Sequence, residues 1–240
     1  RPTQALSLAA WAGNMKVVFV GGRLDGRQSA TSRGGAQRSV RFFNPAGWAF
    51  AVWAPIMLGE ILYILYQSLP LADIRGSWWL ADLSPWFTAA MLFQSLWCYA
   101  FRPWAQDSGN LWLPAVLLGA TAAALGGGHR VLREAWSAGD MGLPQLLLVH
   151  FPLSLHFAWI TCATLVNVNG YFASLRGLGD RVKSWAALAS MVVAVVLGAV
   201  VTISRGDPLY AGVVAWALAA VADRKGWGRL QVRVYIYVYV

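Results

Sequence analysis

Residues 46–67 read AGWAFAVWAPIMLGEILYILYQ, and only one of these side chains, that of Glu60, is charged. The hydrocarbon core of a bilayer is about 30 Å thick, which an α-helix crosses in roughly 20 residues. This stretch is therefore predicted to be a membrane-spanning helix, and it decides the fold class.

Five further stretches have a similar apolar character. They are Leu111–Leu125 and Tyr210–Ala222, which are short, and Pro85–Phe101, Leu143–Val168 and Trp185–Ile203. Three consecutive glycines, Gly126-Gly127-Gly128, are expected to end the stretch that begins at Leu111, because glycine weakens a helix. The pattern predicts an all-α fold, a polytopic transmembrane helical bundle with about six spans.

The composition argues against a soluble globular protein. Hydrophobic residues make up 58% of the chain and charged residues 12%, whereas about a quarter of the residues in soluble domains are charged. The net charge of +9 is spread without a run of five basic residues, so membrane lipid is an expected partner and nucleic acid is not. The familiar motifs of nucleophilic, metal-dependent and nucleotide-dependent enzymes are absent, and we do not expect an enzyme.

Lys and Arg outside the spans are distributed unevenly between the two sides of the membrane. With six spans, 15 fall on the side that holds both termini, and four fall on the other side, namely Arg75, Arg130, Arg133 and Arg205. Asp and Glu divide almost evenly. Because basic residues accumulate on the cytoplasmic side of a membrane, we expect both termini to face the cytoplasm, the stroma or the matrix.

The two ends of the chain differ from the apolar spans. Residues 1–41 hold seven Lys or Arg and one acidic residue, which is typical of an organelle transit sequence or of a basic extension on anionic lipid. Within them, Ala5–Val20 contains Asn14 and Lys16, so we expect it to lie at the interface. The chain ends in VRVYIYVYV, a strand-like pattern that either packs against a partner or the membrane or is not well-selected coding sequence.

Polar residues inside the spans are the candidates for function, because burying them in a membrane is costly. Glu60 lies two helical turns after Trp53 on the same helix face, and it either pairs with an arginine or contacts a ligand. Gln94 and Asn167 are amides that bond to a neighbouring helix or orient a ligand.

Two histidines, His150 and His156, lie six residues apart around Pro152. This is not the i, i+4 spacing of a shared metal site on a straight helix, so we expect no structural metal. Each histidine could instead be a single axial ligand to the metal of a tetrapyrrole, or it could bond to a neighbouring helix.

Three segments carry recognisable motifs. Residues 44–53, NPAGWAFAVW, place proline and tryptophan eight residues apart, residues 93–97 read FQSLW, and Trp159 and Asn167 are again eight residues apart. These motifs resemble those of the tryptophan-rich sensory proteins, the translocator protein or peripheral benzodiazepine receptor group. One departure is Cys98, which stands where the family has asparagine.

The resemblance divides the chain into four parts. They are a leader or surface extension at 1–41, a translocator-like four-span region at 42–172, two additional spans at 173–226 and an apolar tail at 227–240. The family's first helix has no counterpart in this division.

The resemblance implies a non-enzymatic membrane protein that binds a flat hydrophobic ligand in a sensing, trafficking or regulatory role. The expected ligand is a tetrapyrrole such as a porphyrin or haem, or a sterol. With the polar residues above, the predicted ligand-binding set is Trp48, Phe50, Trp53, Glu60, Gln94, His156, Trp159 and Asn167. Aromatic side chains stack on planar rings, but these tryptophans also suit helix packing or interface anchoring.

Two other functions are open from the sequence. One is a pigment-binding accessory subunit of a larger membrane complex such as a photosystem, with carotenoid against the aromatics. Its chlorophyll ligands would come from Glu60, Gln94, His150, His156 and Asn167. The other is a transporter, although the halves of the chain show no inverted repeat. In each case we expect an organellar membrane, that of the plastid thylakoid or the mitochondrion.

Overall fold

A computed structural model of the chain describes residues 2–24, 43–70, 74 and 76–223, and this part is helical without a strand. The helices are α1 (Pro2–Val18), α2 (Gly47–Ser68, opening with a 3₁₀ turn over Gly47–Val52), α3 (Trp78–Ala100), α4 (Pro103–Asp107), α5 (Trp112–Ala138), α6 (Leu143–Ser174, with a π-helical turn over Leu146–His150), α7 (Asp180–Arg205) and α8 (Pro208–Asp223). The strand-like tail predicted at the end of the chain lies outside the described residues.

Four helices, α2, α5, α6 and α7, are long and apolar enough to cross a membrane, and α8 is a shorter apolar helix. The prediction of an all-α membrane protein is confirmed. Helix α3 is 23 residues long and rises about 34 Å at 1.5 Å per residue. Its tryptophans, Gln94 and Asp82 make it less hydrophobic than the other four.

The predicted end of α5 at Gly126-Gly127-Gly128 is wrong, because the helix continues to Ala138. These glycines let neighbouring helices approach closely. A Cβ atom on Gly127 would lie 2.6 Å from the Trp86 ring of α3, and one on Gly126 would lie 3.1 Å from the Phe157 ring of α6. Small residues commonly permit such close packing in membrane bundles. The helix ends instead at Gly139, which adopts a left-handed conformation with φ of 80°.

Two ends of the bundle can be distinguished from its contacts. At one end, the start of α2 meets the end of α8 through a bond from Ala46 N to Ala220 O of 2.8 Å. At the opposite end, Trp78 of α3 donates to Asp140 after α5, at 2.7 Å. The first end holds six of the nine described Lys and Arg residues, Lys16, Arg23, Arg102, Arg176, Arg181 and Lys183. We call it the basic end.

Helix α1 packs along α3 and runs parallel to it. Near its start, Ser7 Oγ lies 3.2 Å from Thr88 Oγ1, and near its end Asn14 Nδ2 lies 3.1 Å from Ser95 Oγ. The side chains of Ser7 and Asn14 are both buried. The structure thus differs from the expectation for Ala5–Val20, since this helix belongs to the bundle. Its Pro2 end lies where α3 begins, at the end opposite the basic one.

Helix α6 is the centre of the bundle. In its most apolar stretch 67% of the residues are buried, against 28% in α7. It packs against α2, α5, α7 and α8. Polar side chains on α6 are consequently held inside the bundle.

Candidate functional site

Helices α2 and α6 approach each other closely in the centre of the bundle. Gly59 faces the ring of Pro152 so closely that a Cβ atom at position 59 would overlap the proline side chain. The next residue on α2, Glu60, is thereby brought against α6. Glycine at this point is required by the contact and not by the backbone conformation, because its φ is ordinary for a helix.

Glu60 and His156 form a buried pair at this contact. Glu60 Oε1 lies 2.7 Å from His156 Nδ1, and the two side chains are 2% and 1% exposed. The N–H direction is not aligned for a regular hydrogen bond, and both ring nitrogens of His156 lack one among the described residues. A small rotation would align the two groups for a hydrogen bond, and Nε2 of His156 has no partner among the described residues.

Three more buried polar side chains have atoms without hydrogen-bond partners in the described part of the chain. They are Tyr63 through its hydroxyl, Gln67 through both amide atoms and Gln94 through Oε1. Tyr63 and Gln67 follow Glu60 by three and seven residues, which places all three on one face of α2. An unsatisfied buried polar group costs about 1–3 kcal/mol, and such groups in native proteins call for a ligand or ordered water.

Aromatic side chains surround the Glu60–His156 pair. The Trp53 ring centroid lies 5.6 Å from that of His156 and 6.4 Å from that of Trp159, and Phe50 lies 5.5 Å from Trp159. All three contacts are edge-to-face. Five of the predicted ligand-binding residues, Phe50, Trp53, Glu60, His156 and Trp159, thus come together. We call them the α2–α6 site.

The other predicted residues lie elsewhere. Trp48 faces α8, where its ring meets Trp216 at 4.6 Å and its Nε1 donates to Asp223 at 2.8 Å. Asn167 accepts a bond of 3.2 Å from Trp97 of α3 and so joins two helices. Gln94 is buried on α3 with its carbonyl oxygen unpartnered among the described residues.

His150, the other histidine proposed as an axial ligand, belongs to a second polar cluster at the end opposite the basic one. Its ring centroid lies 5.0 Å from that of His129 on α5. His129 Nε2 lies 2.7 Å from Asp207 Oδ2 in the α7–α8 turn, and Ser154 also donates to this oxygen. Burial alone would raise the pKa of Asp207. The bonds from His129 and Ser154 outweigh this effect and lower the pKa to about 2, so the carboxylate is ionised at neutral pH.

His129 directly follows the three glycines at which the span was expected to end, and neither His129 nor Asp207 was among the predicted site residues. His129 is in fact fully buried, because α5 continues through the glycines. A signal for Asp207 does exist in Gly206-Asp207-Pro208, since an aspartate before a proline at the first helical position is typical of a helix N-cap. Accordingly, Asp207 Oδ1 accepts bonds from the backbone amides of Leu209 and Tyr210.

A family model described as TSPO-like protein matches residues 14–240. The chain belongs to the TSPO-like protein family. The match confirms the resemblance found in the motifs, and in this TSPO-like chain it also extends over α7 and α8. No curated protein and no solved structure matches the chain. Membership of this family indicates that the chain is an integral membrane protein, and it suggests that the chain binds hydrophobic ligands.

Proposed function

We propose that this TSPO-like chain binds a flat, hydrophobic ligand at the α2–α6 site and acts without catalysis, in sensing, trafficking or regulation. The observation that carries the proposal is the buried Glu60–His156 pair, which is bordered by Trp53 and Trp159. A bundle that serves only to pack helices has no need for an acid and a base at its centre, because buried polar groups destabilise it unless they are satisfied.

A metal-bearing tetrapyrrole such as haem fits this site better than a sterol does. Histidines that ligate metals usually have their second ring nitrogen against a carboxylate, which fixes the tautomer and the ring orientation. His156 has that arrangement, with Nδ1 against Glu60 and Nε2 without a partner among the described residues. His156 would hold the metal, and the aromatic edges of Trp53 and Trp159 would border the ring. A sterol hydroxyl would need only one of these polar groups.

Haem titration of the purified protein in lipid nanodiscs tests this proposal. We expect one haem per chain with a shifted Soret band, and His156→Ala should weaken binding at least tenfold because the axial nitrogen is lost. The metal-free protoporphyrin should be affected less. His150→Ala should preserve the Soret shift, since the ring of His150 faces that of His129 on α5.

Tryptophan variants provide a matched control for the same titration. Trp53→Ala should weaken binding roughly tenfold, which corresponds to about 1.4 kcal/mol, whereas Trp104→Ala should have no effect because Trp104 is exposed on α4. Haem binding that survives both His156→Ala and Trp53→Ala would contradict the proposal. Recovery of the chain only inside a large chlorophyll-containing complex would favour the accessory-subunit hypothesis instead.

We also propose the way in which the chain lies in the membrane. Helices α2, α3, α5, α6, α7 and α8 alternate in direction and would form the six crossings, with the basic end toward the cytoplasm, stroma or matrix. The end of α8 at Asp223 then lies on the basic side. Because α1 is parallel to α3, its Pro2 end would lie on the opposite side, which revises the expectation of two termini on the same side.

Labelling of single cysteines by a membrane-impermeant thiol reagent tests this arrangement in vesicles of known orientation. The starting protein would have both native cysteines, which are buried, replaced by alanine. We expect Ser108→Cys, in the α4–α5 turn, to react from the basic side. Ser137→Cys, near the end of α5, and Pro2→Cys should react from the other side. Labelling of Pro2→Cys from the same side as Ser108→Cys would exclude α1 as a parallel partner of α3.

A further inference from the structure

The cluster at the end opposite the basic one brings together three metal-ligating side chains from separate parts of the chain. His129 comes from α5, His150 from the π-helical turn of α6, and Asp207 from the α7–α8 turn. One ligand atom from each lies within 4.8 Å of the others. We propose that these three residues bind a divalent transition-metal ion of the zinc class.

The set of donors suits such an ion. Zinc is commonly held by imidazole nitrogens and a carboxylate oxygen at about 2.0–2.2 Å, and sites with three protein ligands leave a fourth position for water or another ligand. His129 and Asp207 are almost fully buried. His150 is half-buried and lies toward the surface. The fourth position would therefore face the entrance of the cluster.

The surroundings of Asp207 hold its carboxylate in place. Ser154 donates to Oδ2, while the backbone amides of Leu209 and Tyr210 donate to Oδ1 at 3.0 and 3.4 Å. Bonds of this kind hold a metal ligand in position, and their removal commonly lowers metal affinity roughly 10- to 100-fold. The α7–α8 turn would thus be fastened to α5 and α6 through the ion.

The spacing of His150 and His156 did not suggest this site, because the partner of His150 lies on another helix. A single π-turn shifts the residues that follow it around the helix, and such turns are frequent at functional sites. His150 is the last residue of the turn Leu146–His150, and its ring meets His129. Its partner is therefore on another helix and not on α6. The expectation of no metal considered only pairs within one helix.

Arg205 determines what a metal has to displace. Its Nη1 donates to His129 Nδ1 at 3.3 Å and to Gly126 O at 2.9 Å. An arginine can only donate, so His129 Nδ1 accepts and its proton is on Nε2, which bonds Asp207. A metal at Nε2 requires this single proton to move to Nδ1, where it would face the guanidinium. Arg205 and the metal are therefore competing partners of His129.

The positive charge near the cluster also lowers the expected affinity. The Arg133 guanidinium packs close to Gly206, and Arg130 lies near enough to Arg205 to act on it electrostatically. The buried carboxylate of Asp207 offsets only part of this positive charge. Like charges reduce cation binding, so we expect a site that binds and releases its ion readily. This distinguishes it from a closed structural site.

Cobalt titration of the full-length protein tests the proposal independently of haem binding. The protein would be purified without a polyhistidine tag, stripped with a chelator and titrated with Co²⁺ while visible absorption is recorded. We expect one Co²⁺ per chain, displaced by Zn²⁺. His150→Ala should weaken binding at least tenfold, and Asp107→Asn, an exposed acid on α4, should leave it unchanged.

Arg205→Gln gives a result that a purely structural role would not produce. The glutamine has no charge and can accept a bond from a protonated Nδ1 of His129, so this variant should bind Co²⁺ several-fold more tightly than the wild-type chain. Weaker or unchanged binding by a folded Arg205→Gln protein would overturn the competition. Absence of stoichiometric Co²⁺ binding would overturn the site itself. Stabilisation against heat by inorganic phosphate without any Co²⁺ binding would do the same, and would indicate an anion site made by the arginines.

Discussion

Replacement of Gly59 by alanine is expected to lower the free energy of unfolding by about 3 kcal/mol, the upper part of the usual range for overpacking. The added methyl group would overlap the Cβ and Cγ atoms of Pro152. A proline ring cannot rotate out of the way, so α2 and α6 have to separate. Because Glu60 is the next residue, haem binding at the α2–α6 site should be lost together with stability.

Thermal and denaturant unfolding of the purified protein, followed by circular dichroism, would measure this loss. Gly119→Ala on α5 is the matched control, since its nearest neighbour atom, Cγ2 of Thr164, lies 3.8 Å from the added Cβ. That variant should be neutral or more stable by up to about 1 kcal/mol, because alanine is the better helix former. Wild-type stability of Gly59→Ala would mean that the α2–α6 contact is looser than described.

Asp207→Ala is expected to destabilise the bundle by about 3–5 kcal/mol, as is usual when one partner of a buried charged pair is removed. The carboxylate accepts bonds from His129, Ser154, Leu209 N and Tyr210 N. Its removal leaves the buried His129 and Ser154 without this acceptor and takes away the N-cap of α8. Both effects act on the turn between α7 and α8, so these two helices should separate before the rest of the bundle unfolds.

Two comparisons separate the contributions in unfolding experiments. Asp207→Asn retains an oxygen for the backbone amides of α8 but loses the charge, so it should be intermediate in stability. Asp107→Ala removes an exposed acid and should change stability by less than about 0.5 kcal/mol, as for ordinary surface substitutions. Equal stability of Asp207→Ala and Asp107→Ala would refute the importance of the buried network.

The α2–α6 site was predictable because its signals lie within single helices. Trp53 and Glu60 are seven residues apart, so helical geometry alone places them on one face. Trp48 lies five residues before Trp53, within the 3₁₀ turn that opens α2, and does not share this face. The structure accordingly turns Trp48 toward α8. What the spacing could not provide was the partner helix that each face meets.

The second cluster could not be predicted for the same reason. His129, His150 and Asp207 converge only because α5 continues through its glycines, α6 contains a π-turn and the α7–α8 turn folds back. A glycine run ends helices in water, where it exposes the backbone, but in a bundle it admits the ring of Trp86. Which of these outcomes applies depends on residues far away in the chain.

The pairing of α1 with α3 has a consequence for the order in which the chain is assembled during synthesis. Ser7 and Asn14 bond to Ser84 and Met91, each 77 residues later in the chain. When α1 leaves the ribosome, none of these acceptors has been made, and a helix with Asn14 and Lys16 is poorly retained by lipid alone. Final insertion of α1 therefore has to await α3, so α1 is translated before α3 but is seated only together with it.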